Sequence, residues 1–192
     1  PWGEIEVSDA HVHMFTRPFL RALAGTAPLD GVAARLGWEM PSEDPTELGG
    51  RWVQELDEHG LKRTVLIASV PGDEGSVADA VRAYPDRLIG YFMLDPTASD
   101  AVLKARRALG RHGLHGICLF PAMHKYSIQD ARVRSVLEVA AERPGTVVFV
   151  HAGVLAVGAR KKLGLPSPFD LGYSNPIDLN RLALDFPRVN FV

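Results

Sequence analysis

The chain has 192 residues, a formal net charge of −2, 46% hydrophobic and 23% charged residues, and a single cysteine. A length of this order supports one hydrophobic core, and a near-neutral balance with no basic tract argues against a nucleic-acid partner. No apolar run reaches the roughly 18 residues of a spanning helix, the N-terminus carries no signal-peptide pattern, and Cys118 alone builds no disulfide framework, so a cytoplasmic protein away from membranes is the expectation.

An apolar lead-in, Ile5 to Val7, runs into Ser8-Asp9-Ala10-His11-Val12-His13. If this is a strand, alternate side chains share a face, and His11 and His13 project together. A long stretch, Met14 to about Thr46, follows with Pro18, Pro28, Pro41 and Pro45. Short helical turns are expected at Phe19–Ala24 and Val32–Leu36. The apolar inventory of Met14, Phe15, Phe19 and Trp38 suits a lid over a site as well as it suits a passive insertion.

From Thr46 the pattern is regular. Leu48, Trp52, Val53 and Leu56 recur at helical spacing and Gly60 stands where that helix stops. Apolar runs at Thr64–Ala68, Leu88–Leu94, Gly116–Phe120 and Thr146–Val150 read as strands, and Val189 opens another. Between them, helices are expected at Asp79–Tyr84, at Ala98–Arg111, after a capping box of Ser127 and Asp130, and after Ser174-Asn175-Pro176 with Leu179, Leu182, Ala183 and Phe186 on its inner face. Short strands apolar on both faces and alternating with helices mark a parallel sheet covered by helices. A barrel and a doubly wound sheet both suit these unit lengths. No Gly-x-Gly-x-x-Gly turn follows the first strand, which leaves a dinucleotide-binding sheet without support.

In either fold the strand C-termini open onto one rim. His11 and His13 follow the first strand, and His151 ends the fifth. Three imidazoles with an open position are the ligand set of a catalytic zinc centre. Phe15, Asp95, Phe120 and His124 lie at the same rim as candidate substrate contacts. Asp before Pro also occurs in ordinary turns, and His124 reads equally well as a solvated loop residue. Arg160, Lys161 and Lys162 would suit an anionic substrate, or form a solvated run. His59, His112 and His115 read as structural, and Cys118 as buried packing.

Asp9-Ala10-His11-Val12-His13, Val148 to Gly153, and Asn175-Pro176-Ile177-Asp178-Leu179 leading to Phe186-Pro187 together resemble the amidohydrolase superfamily. The likeness is closest to the amidohydrolase-2 branch, which includes decarboxylases similar to aminocarboxymuconate semialdehyde decarboxylase and γ-resorcylate decarboxylase. The resemblance implies a (β/α)8 TIM barrel, here cut after the start of strand 6, as one domain over residues 1–192 with 14–46 a lid or insertion. It implies one divalent metal ion, Zn2+ before Mn2+, on His11, His13 and His151. The family's strand-six histidine and proton-handling strand-eight aspartate have no match in these residues, so the general base is expected beyond Val192. The carboxylated strand-four lysine of binuclear relatives has no match, the fourth strand offering Cys118 and Phe120 instead, which favours a mononuclear centre. The activity implied is a metal-dependent hydrolase acting on a small carbonyl or carboxylate compound. The alternatives are a non-oxidative decarboxylase of an aromatic or unsaturated acid, and a non-catalytic barrel with an incomplete site. The implied partners are a small-molecule substrate and a second copy in a homodimer.

Overall fold

The structure is a computed structural model that describes residues 5–153, 157–167 and 169–192. Each expected run forms a strand, but the first begins at Val7 and carries His11 and His13 within it rather than after it: β1 (Val7–Met14), β2 (Leu61–Ala68), β3 (Leu88–Leu94), β4 (Gly116–Leu119), β5 (Val147–Val150) and β6 (Asn190–Phe191). All pair in parallel, in the spatial order β1-β2-β3-β4-β5-β6. Every crossover therefore steps one place in the same direction. A doubly wound sheet reverses its order partway along, and an unreversed series curls toward closure. The six strands form a curled open barrel, six-eighths of a (β/α)8 ring.

The helices are α1 (Arg17–Ala24), α2 (Leu29–Leu36), α3 (Pro45–Glu58), α4 (Glu74–Ala83), α5 (Ala101–Gly110), α6 (Pro121–His124), α7 (Ala131–Ala141), α8 (Gly158–Lys162) and α9 (Leu179–Asp185). Several ends differ from the periodicity. The helix α4 begins five residues before Asp79, and α5 begins three after Ala98, because Asp95 closes a turn on the backbone N–H of Thr97 at 2.9 Å. Ser127 and Asp130 form no capping box. Asp130 is itself the N-cap of α7, accepting from the Arg132 N–H, while the Ser127 hydroxyl accepts from the Gln129 N–H one turn earlier. Ala183 is exposed on α9, and only Leu182 there is fully buried.

Strand parity sorts the core into two layers. Leu66, Ala68, Leu88, Phe92, Leu94, Ile117, Leu119, Val148 and Val150 pack outward against the helices, together with Met14 and part-buried Val12. Val65, Ile67, Met93, Cys118 and Phe120, with Ile89, Tyr91 and Phe149, fill the concave side. Cys118 is fully buried, and burial pushes its thiol well above the usual range, so it packs as a small hydrophobe. Gly116 opens β4 because a Cβ there would stand 2.6 Å from the Tyr91 ring.

A third cluster lies outside the sheet. Leu20, Val32, Ala33 and Leu36 from α1 and α2 bury themselves with Leu163, which follows α8. Two polar ties close this contact. The Arg35 guanidinium donates to the Leu163 carbonyl at 3.2 Å, and the Lys162 ammonium donates to the Leu36 carbonyl at 3.2 Å. The segment after β1 and the segment after β5 are thus packed on each other.

Candidate functional site

Parity also selects what meets at the rim. Val12 and Met14 face the helices, so His11, His13 and Phe15 face inward. The inward series continues past the strand ends to Ser69 after β2, Asp95 after β3, Phe120 after β4 and His151 after β5.

A β-bulge sharpens the first of these. Asp9 pairs with Thr64 and Val12 with Leu66, so three steps on β1 match two on β2. The Asp9 carboxylate accepts the backbone N–H of His11 at 2.9 Å, which gives the displaced residue a partner. Bulges re-aim side chains beside functional sites. Here the outcome is that His11 Nε2 and His13 Nε2 stand 3.1 Å apart. Two imidazole nitrogens on one tetrahedral zinc ion, each about 2.0–2.1 Å from it, lie about 3.3 Å apart.

Ser69 sets the tautomer of His13. Its hydroxyl lies 2.9 Å from His13 Nδ1 and donates to the Ile67 carbonyl at 3.1 Å. One hydroxyl proton serves one acceptor, so the oxygen accepts from Nδ1–H and leaves the Nε2 lone pair of His13 facing His11. Burial, followed by the imidazoles of His11 and His151, lowers His13 to about 4. Burial and then His151 lower His11 as well, against a smaller opposing pull from Asp9. Both rings are neutral at neutral pH and can donate to a cation.

His151 occupies the same rim but a different contact. Its ring stacks on Phe120 with centroids 5.4 Å apart and planes 18° from parallel. Among the described residues, no three His, Cys, Asp or Glu side chains already converge closely enough to hold an ion. The structure brings His11 and His13 together, and it places His151 on the same cavity as His13, near enough to act on both imidazoles but stacked on Phe120.

A cavity at His13 and His151 has a volume of about 400 Å3 and is lined by these two with Phe15, Phe19, Trp38 and Phe120 among others. Phe15 stacks on Phe19 at 4.4 Å and on Trp38 at 5.0 Å, and lies within 7° of parallel to His13 at 5.9 Å. Phe15 and Phe120, two of the expected substrate contacts, both line this cavity. His124 lines an adjoining chamber. Asp95 lines neither space, and its Oδ1 is occupied by the Thr97 N–H and hydroxyl at 2.9 and 2.7 Å. Sequence reasoning missed Ser69, Met93 and Met123. Ser69 carried a signal, being a polar residue one place past an apolar strand, at the parity of Ile67.

Three solved structures share this architecture. A 5-carboxyvanillate decarboxylase, LigW, from Sphingomonas paucimobilis is 16% identical, with 98% of this chain and 67% of that one covered and a TM-score of 0.64. A second 5-carboxyvanillate decarboxylase, from Novosphingobium aromaticivorans, solved with manganese and 3-methoxy-4-hydroxy-5-nitrobenzoic acid, is 18% identical over 97% of this chain and 64% of that one, TM-score 0.60. An uncharacterised TIM-barrel protein from Bordetella bronchiseptica is 19% identical over 97% and 66%, TM-score 0.63. At these identities the likeness establishes the barrel fold, and the chain spans about two thirds of the length of those proteins. No curated protein matches the chain. The family model for amidohydrolases matches residues 8–192, starting at the strand that carries the histidine pair. With that match across nearly its whole length, a barrel rim bearing His-x-His on the first strand and a histidine on the fifth, the chain belongs to the amidohydrolase family of metal-dependent enzymes, in its amidohydrolase-2 branch.

Proposed function

We propose that the protein is a metal-dependent decarboxylase of a small planar carboxylic acid, with one divalent ion on His11, His13 and His151. The observation that carries this reading is the aromatic cavity that His13, one of the paired imidazoles, lines together with His151. The donor set fits an ion: two neutral imidazoles already lie at near-ligand spacing, with one tautomer fixed by Ser69. Imidazole donors suit zinc, and the manganese held by the Novosphingobium relative makes that ion the alternative. The bound ion supplies Lewis-acid polarisation of substrate oxygens.

The chain's own residues do the rest. Phe15, Trp38 and Phe120 offer flat faces that favour a conjugated ring over a flexible aliphatic chain. Met93 and Met123 close the inner wall with apolar surface and limit water around the scissile carboxylate. A less polar surrounding favours loss of neutral CO2 over retention of a localised anion. The two decarboxylases of similar fold support this choice of reaction.

Hydrolysis through a metal-activated water is the second reading. Its support is that His11 is only half-buried, so water has access to the ligand pair. One experiment separates the two. The protein is stripped with a chelator, reloaded with Zn2+ or Mn2+, and given 5-carboxyvanillate, 2,6-dihydroxybenzoate, a lactone and an aryl ester. Metal-dependent CO2 release from the acids is the expected result. Metal-dependent opening of the lactone or ester with no CO2 establishes the hydrolase instead, and full activity of the stripped protein contradicts both readings.

A further inference from the structure

The cavity at His13 and His151 does not end at its methionine wall. A second chamber of about 230 Å3 adjoins it and shares Phe19, Ser69, Met93, Met123 and Val157 with the first. The two differ in what else they present. The first has His13 and His151 as its ionisable groups, whereas the second has His124 and Arg160. The remaining wall of the second chamber is apolar, with Ala22, Leu23, Val70, Pro71 and Phe169.

Arg160 lies on α8, and its Nε donates to the Pro166 carbonyl at 2.8 Å. That bond holds the guanidinium by one edge and leaves the two terminal nitrogens as donors. No carboxylate pairs with Arg160 among the described residues. His124 ends α6, and its Nδ1 is sealed from solvent without a hydrogen-bond partner. A sealed N–H with no acceptor costs about 1–3 kcal/mol, so the ring proton belongs on Nε2, the one nitrogen able to meet a ligand. Asp95 is near enough to act on His124, but it is turned into its own Thr97 loop and does not line the chamber. The second chamber therefore presents a fixed guanidinium charge and a neutral donor within an apolar wall. A guanidinium matches a carboxylate with two parallel hydrogen bonds, and an apolar surround strengthens them.

We propose that this second chamber is a carboxylate subsite, in which Arg160 and His124 bind a second carboxylate of the substrate, remote from the group held at the histidine pair. The inference rests on the first chamber's being the substrate site. It adds that the preferred substrates are dicarboxylates and that Arg160 is the residue that selects them.

The test uses benzoate and benzene-1,3-dicarboxylate as probes, titrated by calorimetry into manganese-loaded protein, with manganese content measured on the same samples. The wild type binds the dicarboxylate about ten-fold or more tighter than benzoate. R160L loses about ten- to a hundred-fold in dicarboxylate affinity and changes benzoate affinity by less than about two-fold. R160K recovers part of the loss, and H124F loses about three- to ten-fold for the dicarboxylate alone. Equal loss for both probes, no loss for either, or a wild type that binds neither or does not distinguish them overturns the subsite. Loss of manganese from R160L also overturns it, because Arg160 would then act through the fold. A wild type that prefers the dicarboxylate yet takes up no manganese upholds the subsite and contradicts the metal reading.

Discussion

Replacing Ser69 with alanine tests how the site is organised without touching a ligand. The Ser69 hydroxyl is buried and bridges His13 Nδ1 at 2.9 Å to the Ile67 carbonyl at 3.1 Å. S69A removes the acceptor that keeps the His13 proton on Nδ1. The ring is then free to carry the proton on Nε2, where it would block the ion, and to rotate away from His11. Loss of an outer partner of a ligating histidine weakens metal binding by about 10–100-fold, which is about 1.4–2.7 kcal/mol. The assay is competition for Zn2+ against a chromophoric chelator at pH 7.5. The expected zinc dissociation constant rises within that range, and S69T, which keeps the hydroxyl, recovers most of it. Wild-type affinity in S69A would refute the assignment of tautomer and orientation to Ser69.

Three further outcomes concern the packing, the titration and the local stability of the fold. G116A places a methyl 2.6 Å from the Tyr91 ring and should cost about 1–3 kcal/mol in urea unfolding, whereas an unchanged midpoint would show that the ring can shift freely. His13 is lowered to about 4 when folded and sits near 6.5 when unfolded, so protons favour the unfolded chain between those values. Stability from this group is intact above about pH 6.5, falls as pH drops to about 4 by at most about 3 kcal/mol, and then levels off; metal-free H13N should lose that part of the slope, and parallel wild-type and H13N curves would contradict it. Leu20 is fully buried in the cluster that joins α1 and α2 to the segment after α8. L20A should destabilise that cluster by about 2–5 kcal/mol and raise hydrogen exchange across 17–36 before it does so in β2–β4, and uniform change throughout the chain would show that the segment is not a separable unit.

Much of this molecule could be read from residue order because its signals are local. Period-two parity along Val65-Leu66-Ile67 or Cys118-Leu119-Phe120 needs no partner to interpret. It carries Phe120 and His151 to the inner rim as expected. The pairing of His11 with His13 was legible as i and i+2, but its closeness was not. That depends on a bulge set by a register slip against β2, a strand some fifty residues away. Ser127 and Asp130 look alike as caps until the chain chooses, and the choice of Asp130 follows from Ser127 being used in the preceding turn. The docking of α1 and α2 onto the stretch after α8 joins residues more than a hundred positions apart, beyond the reach of periodicity. The expectation of one domain over residues 1–192 includes residues 1–4, 154–156 and 168, which lie outside the described residues.

The central claim is that His11, His13 and His151 hold one divalent ion. It is tested most directly by a crystal structure grown with zinc, with anomalous difference maps on either side of the zinc edge. The account predicts one peak about 2.0–2.1 Å from Nε2 of both His11 and His13 and from one nitrogen of His151, with the His151 ring turned off Phe120 to reach it. A peak held by His11 and His13 alone, with His151 still stacked on Phe120, or no peak between them, would contradict it.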